Sequence, residues 1–304
     1  MSKILVTGGA GFIGSHLVDR LIKDGHEVIV LDSFITGKKE NVNPKADLHE
    51  VDVSDYEKIT GFFKDVEVVF HCAALARIRP SVLDPLPANR NNITGTLNVL
   101  WASKNAGVKK LIYSASSSAY GEQPRENYPL KESLLIHPAS PYALQKYVGE
   151  LYCKLFSELY NLPTVILRYF NVYGPRQLTE GAYATVVGVF LKQRLENNPI
   201  TITGDAGERR RDFTHVFDVV EANILAWKKD VGGGELFNIG RGQNYSINEV
   251  AALIGGPTVK IDPRPWEYPL TLADNTKARQ MLGWEPKISF EEGIAQLKKL
   301  HGLA

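Results

Sequence analysis

Tyr142 and Lys146 are the residues whose types and spacing most directly suggest chemistry. Of the thirteen tyrosines in the chain, Tyr142 is the one that has a lysine four residues later. On a helix this offset places both side chains on one face, where an ammonium favours the phenolate and lowers the pKa of a neighbouring phenol. A phenol activated in this way accepts a hydroxyl proton near neutral pH. The same spacing also fits an amphipathic surface helix, so the pair needs a second signal.

A cluster of serines supplies this second signal of catalytic chemistry. The apolar strand pattern "KKLIYSAS" runs directly into "SASSSAYGE" (114–122). Serines at the end of a strand form either a plain turn or a row of hydroxyls that face a substrate. Ser116, Ser117 and Ser118 bring three hydroxyls and no carboxylate to this turn, and a serine hydroxyl is too weakly acidic to act as a general acid near neutral pH.

Glycines near the N-terminus predict a nucleotide site. Gly8, Gly9, Gly11 and Gly14 lie between the strand "KILVTGG" and the helix "IGSHLVDRLIKDG". In this setting glycines make a tight turn and let the backbone approach a pyrophosphate at the helix N-terminus. Asp32 ends the second strand, where a carboxylate accepts hydrogen bonds from a ribose diol and repels a 2′-phosphate. NAD is therefore favoured over NADP.

The elements that must position these groups alternate between short apolar strands and helical patterns as far as residue 174. Strands that are apolar throughout and separated by helices indicate a parallel sheet covered on both faces. Asp52 closes the third strand, either beside an adenine edge or as the N-cap of the next helix. A long helix is predicted from Pro141 to about Tyr160.

The predicted fold is α/β, a Rossmann-type doubly wound parallel sheet with a smaller mixed α/β substrate domain. Loops lengthen and prolines become denser after Gly174, which indicates the start of the second unit. The predicted NAD-binding domain covers 1–170 with a return segment at about 212–236, and the substrate domain covers 171–211 and 237–304.

Composition narrows the class of function. The 304 residues include 35 Lys and Arg against 34 Asp and Glu, and this balance argues against a nucleic-acid partner. No apolar run approaches the roughly 18 residues of a membrane span, and the N-terminal sequence has no signal-peptide pattern. Cys72 and Cys153 cannot form a disulfide framework, which favours a reducing compartment. We expect a cytoplasmic protein without a membrane partner.

The motifs occur together and in order. "TGGAGFIG", "NITGTLNVL", "SPYALQKYVGE", "RRDFTHVFDVV" and "ADNTKARQMLGW" resemble blocks of the extended short-chain dehydrogenase/reductase family, and within it the nucleotide-sugar epimerases and dehydratases. The resemblance covers essentially the full chain. It implies an enzyme that uses NAD and a UDP-sugar.

The resemblance also implies roles for individual residues. Tyr142 resembles the catalytic acid/base, Lys146 its electrostatic partner and ribose ligand, and Ser116 the hydroxyl that hydrogen-bonds the reacting sugar oxygen. The implied cofactor-binding residues are Gly8, Gly11, Phe12, Ile13, Gly14, Asp32, Ser33, Gly37, Asp52, Val53, Ala73, Ala74, Asn92, Ser114, Tyr142, Lys146 and Tyr169. The implied substrate-binding residues are Ser81, Ser116, Asn171, Arg211, Arg264, Glu267 and Thr271. No metal site is implied.

Arg211 and Arg264 resemble the pair of arginines that clamps the diphosphate of the substrate. A guanidinium suits this task because its planar fork binds phosphate bidentately. The alternative for Arg211 is a solvated charge run with its basic neighbours, and for Arg264 a proline-rich loop that serves only structure. Trp266 and Glu267 replace the Gly-Asp pair that usually follows the second arginine.

The serine turn indicates which member of the family the chain resembles. Dehydratases carry Asp-Glu directly after the catalytic hydroxyl and decarboxylases carry a nearby Glu, whereas this chain has Ser117 and Ser118. The resemblance thus implies epimerisation at C4. Tyr142 takes the 4-hydroxyl proton while hydride passes to NAD, the 4-keto sugar turns about its diphosphate, and hydride returns to the other face.

Two features indicate the sugar. "RQLTEGAYATVV" (176–187) resembles enzymes that handle UDP-GlcNAc and UDP-GalNAc. Thr271 stands where members that reject N-acetylated sugars tend to have a pocket-narrowing tyrosine. UDP-glucose/UDP-galactose and UDP-GlcNAc/UDP-GalNAc are the expected substrates. Arg77 and Arg79 are unusual beside the sugar, and they either contact the substrate or are exposed.

Two other functions stay open at this point, a nucleotide-sugar 4-reductase or dehydrogenase that releases reduced cofactor, and a non-catalytic NAD- or metabolite-binding protein. A homodimer is also expected. Helices near 92–106 and 141–160 carry apolar stripes that pair with a second copy, unless those stripes face the sheet.

Overall fold

The computed structural model describes residues 1–262 and 269–303. Its strands are β1 (Lys3–Thr7), β2 (Glu27–Asp32), β3 (Asp47–Glu50), β4 (Val68–His71), β5 (Lys110–Ser116), β6 (Thr164–Tyr169), β7 (Val172–Tyr173), β8 (Ile200–Thr203), β9 (Arg210–Asp212), β10 (Thr214–His215), β11 (Gly233–Ile239), β12 (Asn244–Ser246) and β13 (Thr258–Ile261). Its helices are α1 (Phe12–Lys23), α2 (Tyr56–Ile59), α3 (Ile78–Leu83), α4 (Pro85–Asn89), α5 (Gly95–Asn105), α6 (Pro141–Tyr160), α7 (Val186–Leu195), α8 (Val216–Lys228), α9 (Ile247–Ile254) and α10 (Phe290–Leu300). Among these helices none is long and apolar enough to cross a bilayer.

A parallel sheet forms the centre of the described structure. Its strand order is β11-β6-β5-β4-β1-β2-β3, and every neighbouring pair runs parallel. The order reverses between β1 and β4, because the chain first adds strands on one side of β1 and then on the other. Ligands of such sheets bind at the carboxyl ends of the strands beside this reversal. The predicted Rossmann-type fold is confirmed.

Apolar clusters cover both faces of the sheet. On one face α1 and α8 bring fully buried side chains such as Leu17 and Val219. On the other face α5 and α6 do the same with Val99 and Phe156. With helices on both sides, β4 and β6 are buried along their whole length, which explains why these segments do not alternate between apolar and polar residues.

A third cluster lies among the later elements. It contains Tyr173, Phe190, Ile202, Tyr245 and Phe290. Between the strands that carry Ile202 and Tyr245, the chain returns to the central sheet. There α8 packs on the sheet and β11 pairs with β6 as far as Ile239. We retain the division into two domains as a proposal, with the return segment extended to that residue.

Helix α6, which carries Tyr142 and Lys146, has strong local signals at both ends. The Ser140 hydroxyl accepts the Ala143 N–H at 3.2 Å, Pro141 occupies the first turn, and Asn161 ends the helix in the left-handed conformation at φ 53°. These are the residue types that favour helix starts and stops. The predicted span of this helix is confirmed.

Helix α6 is also joined to the sheet by a buried ion pair. Arg168 on β6 donates to the Glu150 carboxylate at 2.8 and 2.5 Å, and its guanidinium lies 4.6 Å from the centre of the Tyr120 ring. The Tyr120 hydroxyl in turn donates to Asn238 on β11 at 2.8 Å. The helix, two strands and the serine turn thus share one buried network.

Candidate active site

A cavity of about 1050 Å³ opens at the carboxyl ends of the sheet strands. Most predicted site residues line it. They are Gly8, Gly11, Phe12, Ile13, Gly14, Asp32, Ser33, Val53, Ala73, Ala74, Ser114, Ser116, Tyr142, Lys146, Tyr169, Asn171, Arg211 and Thr271. Gly37, Asp52, Ser81 and Asn92 lie outside this lining. Arg264, Trp266 and Glu267 lie outside the described residues.

The glycine turn at one end of the cavity has the geometry of an anion cradle. Gly8 adopts φ 70° and its N–H donates to Leu31 O at 2.7 Å. A Cβ on Gly14 would lie 2.2 Å from Gly8 O, so only glycine allows the turn and the helix to approach this closely. The first turn of α1 faces the cavity, and its backbone N–H groups have no intrahelical acceptor. A pyrophosphate fits this arrangement.

Asp32 sits beside the turn as a fixed acceptor. Its two oxygens accept the N–H groups of Ala10 at 2.9 Å and Phe34 at 2.8 Å, and each keeps a lone pair for a ribose hydroxyl. Burial raises the pKa of Asp32, while these two hydrogen bonds act in the opposite direction. A Cβ on Gly37 would lie 2.6 Å from Asp32 Oδ1, which places this glycine behind the carboxylate. The residues present fit NAD at this end.

Asp52 is not the N-cap of the next helix, which was one of the two positions predicted for it. Its Oδ1 accepts the Ser54 N–H at 2.8 Å, and the residue that precedes α2 as its N-cap is Asp55. The carboxylate therefore closes a local turn. Val53, the next residue, lines the cavity instead.

Tyr142 and Ser116 meet at the centre of the cavity. The Ser116 hydroxyl acts on the phenol of Tyr142, whose pKa it lowers, and it lies 2.8 Å from the Ser118 hydroxyl. Burial raises the pKa of Tyr142, whereas the hydrogen bond from Ser116 and the positive charge of Arg77 lower it. This is a phenol that carries a proton at rest and has two groups placed to favour its loss.

Lys146 lines the cavity together with Tyr142 and contacts a neighbouring aromatic ring. Its Nζ lies 4.6 Å from the centre of the Tyr113 ring, and burial lowers its pKa to about 8. The charge that lowers the pKa of Tyr142 belongs to Arg77, not to Lys146. The predicted action of Lys146 on the phenol stays a prediction, and in this structure its ammonium lies over the Tyr113 ring.

Ser81 and Asn92 lie behind the cavity wall and hold the backbone. The fully buried Ser81 hydroxyl accepts the Tyr142 N–H at 3.1 Å. Asn92 accepts the Leu75 N–H at 2.8 Å and donates to Gln145 at 2.9 Å. Their predicted contacts with ligands stay predictions, and their observed hydrogen bonds fix the elements that carry the lining residues.

His71 makes a similar supporting contact that the sequence did not reveal. Its ring nitrogens lie 2.7 Å from the Thr7 hydroxyl and 2.9 Å from the Thr96 hydroxyl. Burial lowers the pKa of His71 to about 3, so the ring is neutral at physiological pH. The Thr7 hydroxyl also accepts the Ala73 N–H at 3.3 Å, and this chain of contacts fixes the loop that follows β4.

At the other end of the cavity, Asn171 and Thr271 form a hydrogen-bonded pair. The Asn171 amide donates to Asp212 O at 2.9 Å and to the Thr271 hydroxyl at 3.0 Å. The Thr271 hydroxyl also accepts the Asp212 N–H at 3.1 Å. Arg211 lies on β9 between these groups and lines the same end. The predicted substrate residues within the described chain other than Ser81 thus share one cavity.

Segment 176–185 lines the cavity, and it belongs to the stretch 176–187 that the sequence analysis connects with the sugar. Leu178, Tyr183 and Thr185 are among its lining residues. The Arg77 Nε donates to Tyr183 O at 2.8 Å and joins this segment to the loop after β4. Arg77 and Arg79, whose location the sequence left open, both line the cavity.

Comparisons with known proteins agree with this geometry. Residues 4–240 match the NAD dependent epimerase/dehydratase family. The chain is 44% identical to the putative UDP-glucose 4-epimerase of Methanocaldococcus jannaschii, over 97% of this chain and 96% of that one. It is 42% identical to the UDP-glucose 4-epimerase of Thermotoga maritima, solved with UDP-glucose, with a TM-score of 0.93 over 98% and 99% of the two chains. The UDP-N-acetylglucosamine 4-epimerase of Methanobrevibacter ruminantium, solved with UDP-N-acetylmuramic acid, is 40% identical with a TM-score of 0.90 over 98% and 99%. The chain therefore belongs to the NAD-dependent epimerase/dehydratase family.

Proposed function

We propose that this chain is a UDP-sugar 4-epimerase that acts on both plain and N-acetylated UDP-hexoses. The predicted family, the isomerase class and the NAD cofactor are confirmed by the comparisons; the choice of sugars is the proposal. The observation that carries it is that Ser116, Tyr142 and Lys146 line one cavity with the glycine turn and the small Thr271.

The residues of the site divide the work of proton transfer. Tyr142 takes the proton of the sugar 4-hydroxyl and later returns it, and Ser116 orients the reacting oxygen. Bound NAD supplies the hydride acceptor and donor for C4. Lys146, whose pKa is lowered by burial to about 8, is the residue proposed to donate to the ribose. Asn171 and Arg211 lie where they can hold the nucleotide part while the sugar turns.

The cavity also lacks the groups that elimination requires. Among the described residues that line it, Asp32 is the only carboxylate, and it belongs to the ribose end. Ser117 and Ser118 line the catalytic end and cannot act as general acids at neutral pH. A ketone formed in this cavity is converted back to an alcohol by reduction, which favours inversion at C4 over dehydration.

Product analysis tests the proposed function. We expect UDP-glucose and UDP-GlcNAc, each incubated without added NAD, to equilibrate with their C4 epimers in NMR spectra. We also expect no net absorbance of reduced nicotinamide at steady state, because each hydride removed is returned. Net accumulation of reduced cofactor would instead support the 4-reductase or dehydrogenase. Absence of turnover of the acetylated sugar would contradict the proposed specificity.

Thr271→Tyr provides a matched variant for the sugar pocket. A tyrosine ring at this position fills the space beside Asn171, so turnover of UDP-GlcNAc should fall while turnover of UDP-glucose is retained. Crowding of the pocket should lower kcat/KM for the excluded sugar roughly 10-fold to 200-fold. An equal loss with both sugars would show that the substitution damages the site rather than its selectivity.

We further propose that the chain forms a homodimer through α5 and α6. Leu144, Leu151, Leu155 and Leu159 are spaced by seven, four and four residues and form one stripe, and each is 42–62% exposed. They therefore do not face the sheet, which was the alternative. Exposed apolar stripes of this kind on a helix are typical of a contact with another protein surface.

A double substitution tests this interface. Leu151→Glu with Leu155→Glu should convert the dimer to a monomer in sedimentation analysis, since it buries two charges in an apolar contact. Leu300→Glu, at a leucine that is 61% exposed on α10, is the control and should leave the mass unchanged. A monomeric wild-type chain would overturn the proposal.

A further inference from the structure

Lys146 is a buried cation that lies against an aromatic ring rather than a carboxylate. The side chain is 3% exposed, and its Nζ lies 4.6 Å from the centre of the Tyr113 ring. Within the described part of the chain this ammonium forms no ion pair and donates no hydrogen bond. Burial favours the neutral amine of a lysine. The Tyr113 ring is therefore the group placed to stabilise the charge.

Tyr113 is held against helix α6 at close range. It lies on β5 and is fully buried, and its hydroxyl donates to Lys146 O at 3.3 Å. Gly149 permits this approach, because a Cβ at that position would lie 2.2 Å from the Tyr113 hydroxyl oxygen. The centre of the His71 ring on β4 lies 5.7 Å from that of Tyr113. These contacts fix the plane of the phenol beside the lysine side chain.

A carboxylate one turn along the helix is engaged elsewhere. Glu150 follows Lys146 by four residues on α6, a spacing at which glutamate and lysine side chains can pair. Both oxygens of Glu150 instead accept from Arg168 on β6, at 2.8 and 2.5 Å. The ion pair between α6 and the sheet thus keeps this carboxylate from the ammonium.

The other titratable groups that act on the ammonium are neutral at physiological pH. They are Cys72 after β4, Cys153 on α6 and His71 on β4. Burial raises the pKa of both thiols and lowers the pKa of His71 to about 3. Burial also raises the pKa of Tyr113 well above its usual range, so the ring acts as a neutral phenol.

We propose that Tyr113 is a positioning residue, whose ring face holds the Lys146 ammonium in its charged form at the cavity wall. The face of an aromatic ring attracts a cation through its quadrupole. Because this contact involves no oxygen acceptor, the three donors of the ammonium stay available to a ligand in the cavity. A carboxylate partner would instead accept one or two of them. The inference rests on the role proposed for Lys146.

Fluorination of the ring tests the contact with little change in its shape. Tyr113→Phe keeps the ring and removes the hydroxyl, and difluoro and trifluoro forms of the same phenylalanine withdraw electron density from the face. The pKa of Lys146 is measured in the holoenzyme from the NMR shift of isotope-labelled lysine Cε, with the signal assigned by its loss in Lys146→Met. Phe156, fluorinated in the same way, is the control, because it lies ten residues further along α6 and packs on Trp101 and Tyr160.

We expect Tyr113→Phe to keep the pKa of Lys146 near its wild-type value and the trifluoro form to lower it by about one unit or more. The difluoro form should lie between them. Because burial already lowers the pKa of Lys146 to about 8, kcat of the trifluoro form at about pH 8 should fall about fivefold. The loss should recover as pH falls, since the lysine is charged below its pKa. Fluorination of Phe156 should change neither quantity.

An unchanged pKa of Lys146 across the fluorinated series would overturn the inference. An equal fall in Tyr113→Phe itself would overturn it too, because the hydroxyl would then carry the effect. Tyr113→Leu removes the face altogether, and an unchanged pKa in that variant decides against the ring if Tyr113→Phe does not fold. The NMR readout needs no turnover, so a lowered pKa with an unaltered pH profile of kcat would support the ring contact and contradict the role proposed for Lys146.

Discussion

Tyr142→Phe should lower kcat for epimerisation by about 10²-fold to 10⁴-fold, the range measured for a lost general acid or base. The substitution removes only the hydroxyl, and the ring continues to fill its place in the cavity wall. Ser116 keeps its contact with the Ser118 hydroxyl at 2.8 Å, but the titratable proton of the Tyr142 phenol beside it is lost. KM for the UDP-sugar and the NAD content should stay near their wild-type values. Initial rates at saturating substrate, together with cofactor released on denaturation, measure both.

Tyr147→Phe is the matched control for this result. Tyr147 lies on the same helix outside the cavity lining, so its loss of a hydroxyl should leave kcat unchanged. A fall of less than about tenfold in Tyr142→Phe, which corresponds to about 1.4 kcal/mol of barrier, would mean that another group accepts the proton. Equal losses in both variants would indicate a structural defect of α6.

Gly14→Ala should abolish retention of NAD. The added Cβ would lie 2.2 Å from Gly8 O and 2.9 Å from Gly9 Cα, and both are backbone atoms that cannot move without opening the turn. A displacement that costs about 1.4 kcal/mol or more weakens binding at least about tenfold. Cofactor released from the denatured protein, quantified per chain, measures the effect.

Gly61→Ala separates this clash from a general effect of removing glycine. A Cβ at Gly61 meets no atom within 4 Å, so this variant should keep both its NAD and its thermal stability. If Gly14→Ala retained a full complement of NAD, the proposed cradle at the start of α1 would be wrong.

Sequence patterns were sufficient where the signal is local. The span of α6 follows from Ser140, Pro141 and Asn161, each of which acts within one turn of its own position. The glycine turn and Asp32 follow similarly, because a strand, a turn and a helix in sequence must bring them together. The parallel sheet with helices on both faces follows from the alternation of strands and helices.

Contacts between distant segments could not be read in this way. Arg77 finds its partner 106 residues later in Tyr183, and nothing in either sequence neighbourhood marks the pair. Lys146 was expected beside Tyr142 on the basis of helical spacing, yet the side chain turns toward Tyr113 on the sheet. Spacing on a helix fixes which face a residue occupies, but the neighbouring strand decides where a long side chain ends.

The buried pair of Glu150 and Arg168 has a consequence for how activity is lost on heating. It joins the middle of α6 to a central strand, and breaking such a pair costs about 3–5 kcal/mol because a charge is left without its partner. Unfolding of α6 alone would require that cost. The amide hydrogens of α6 should therefore exchange with solvent only when the sheet unfolds too, as one cooperative unit. Inactivation by heat should then follow global melting of the sheet domain, with no earlier stage in which the helix that carries Tyr142 detaches.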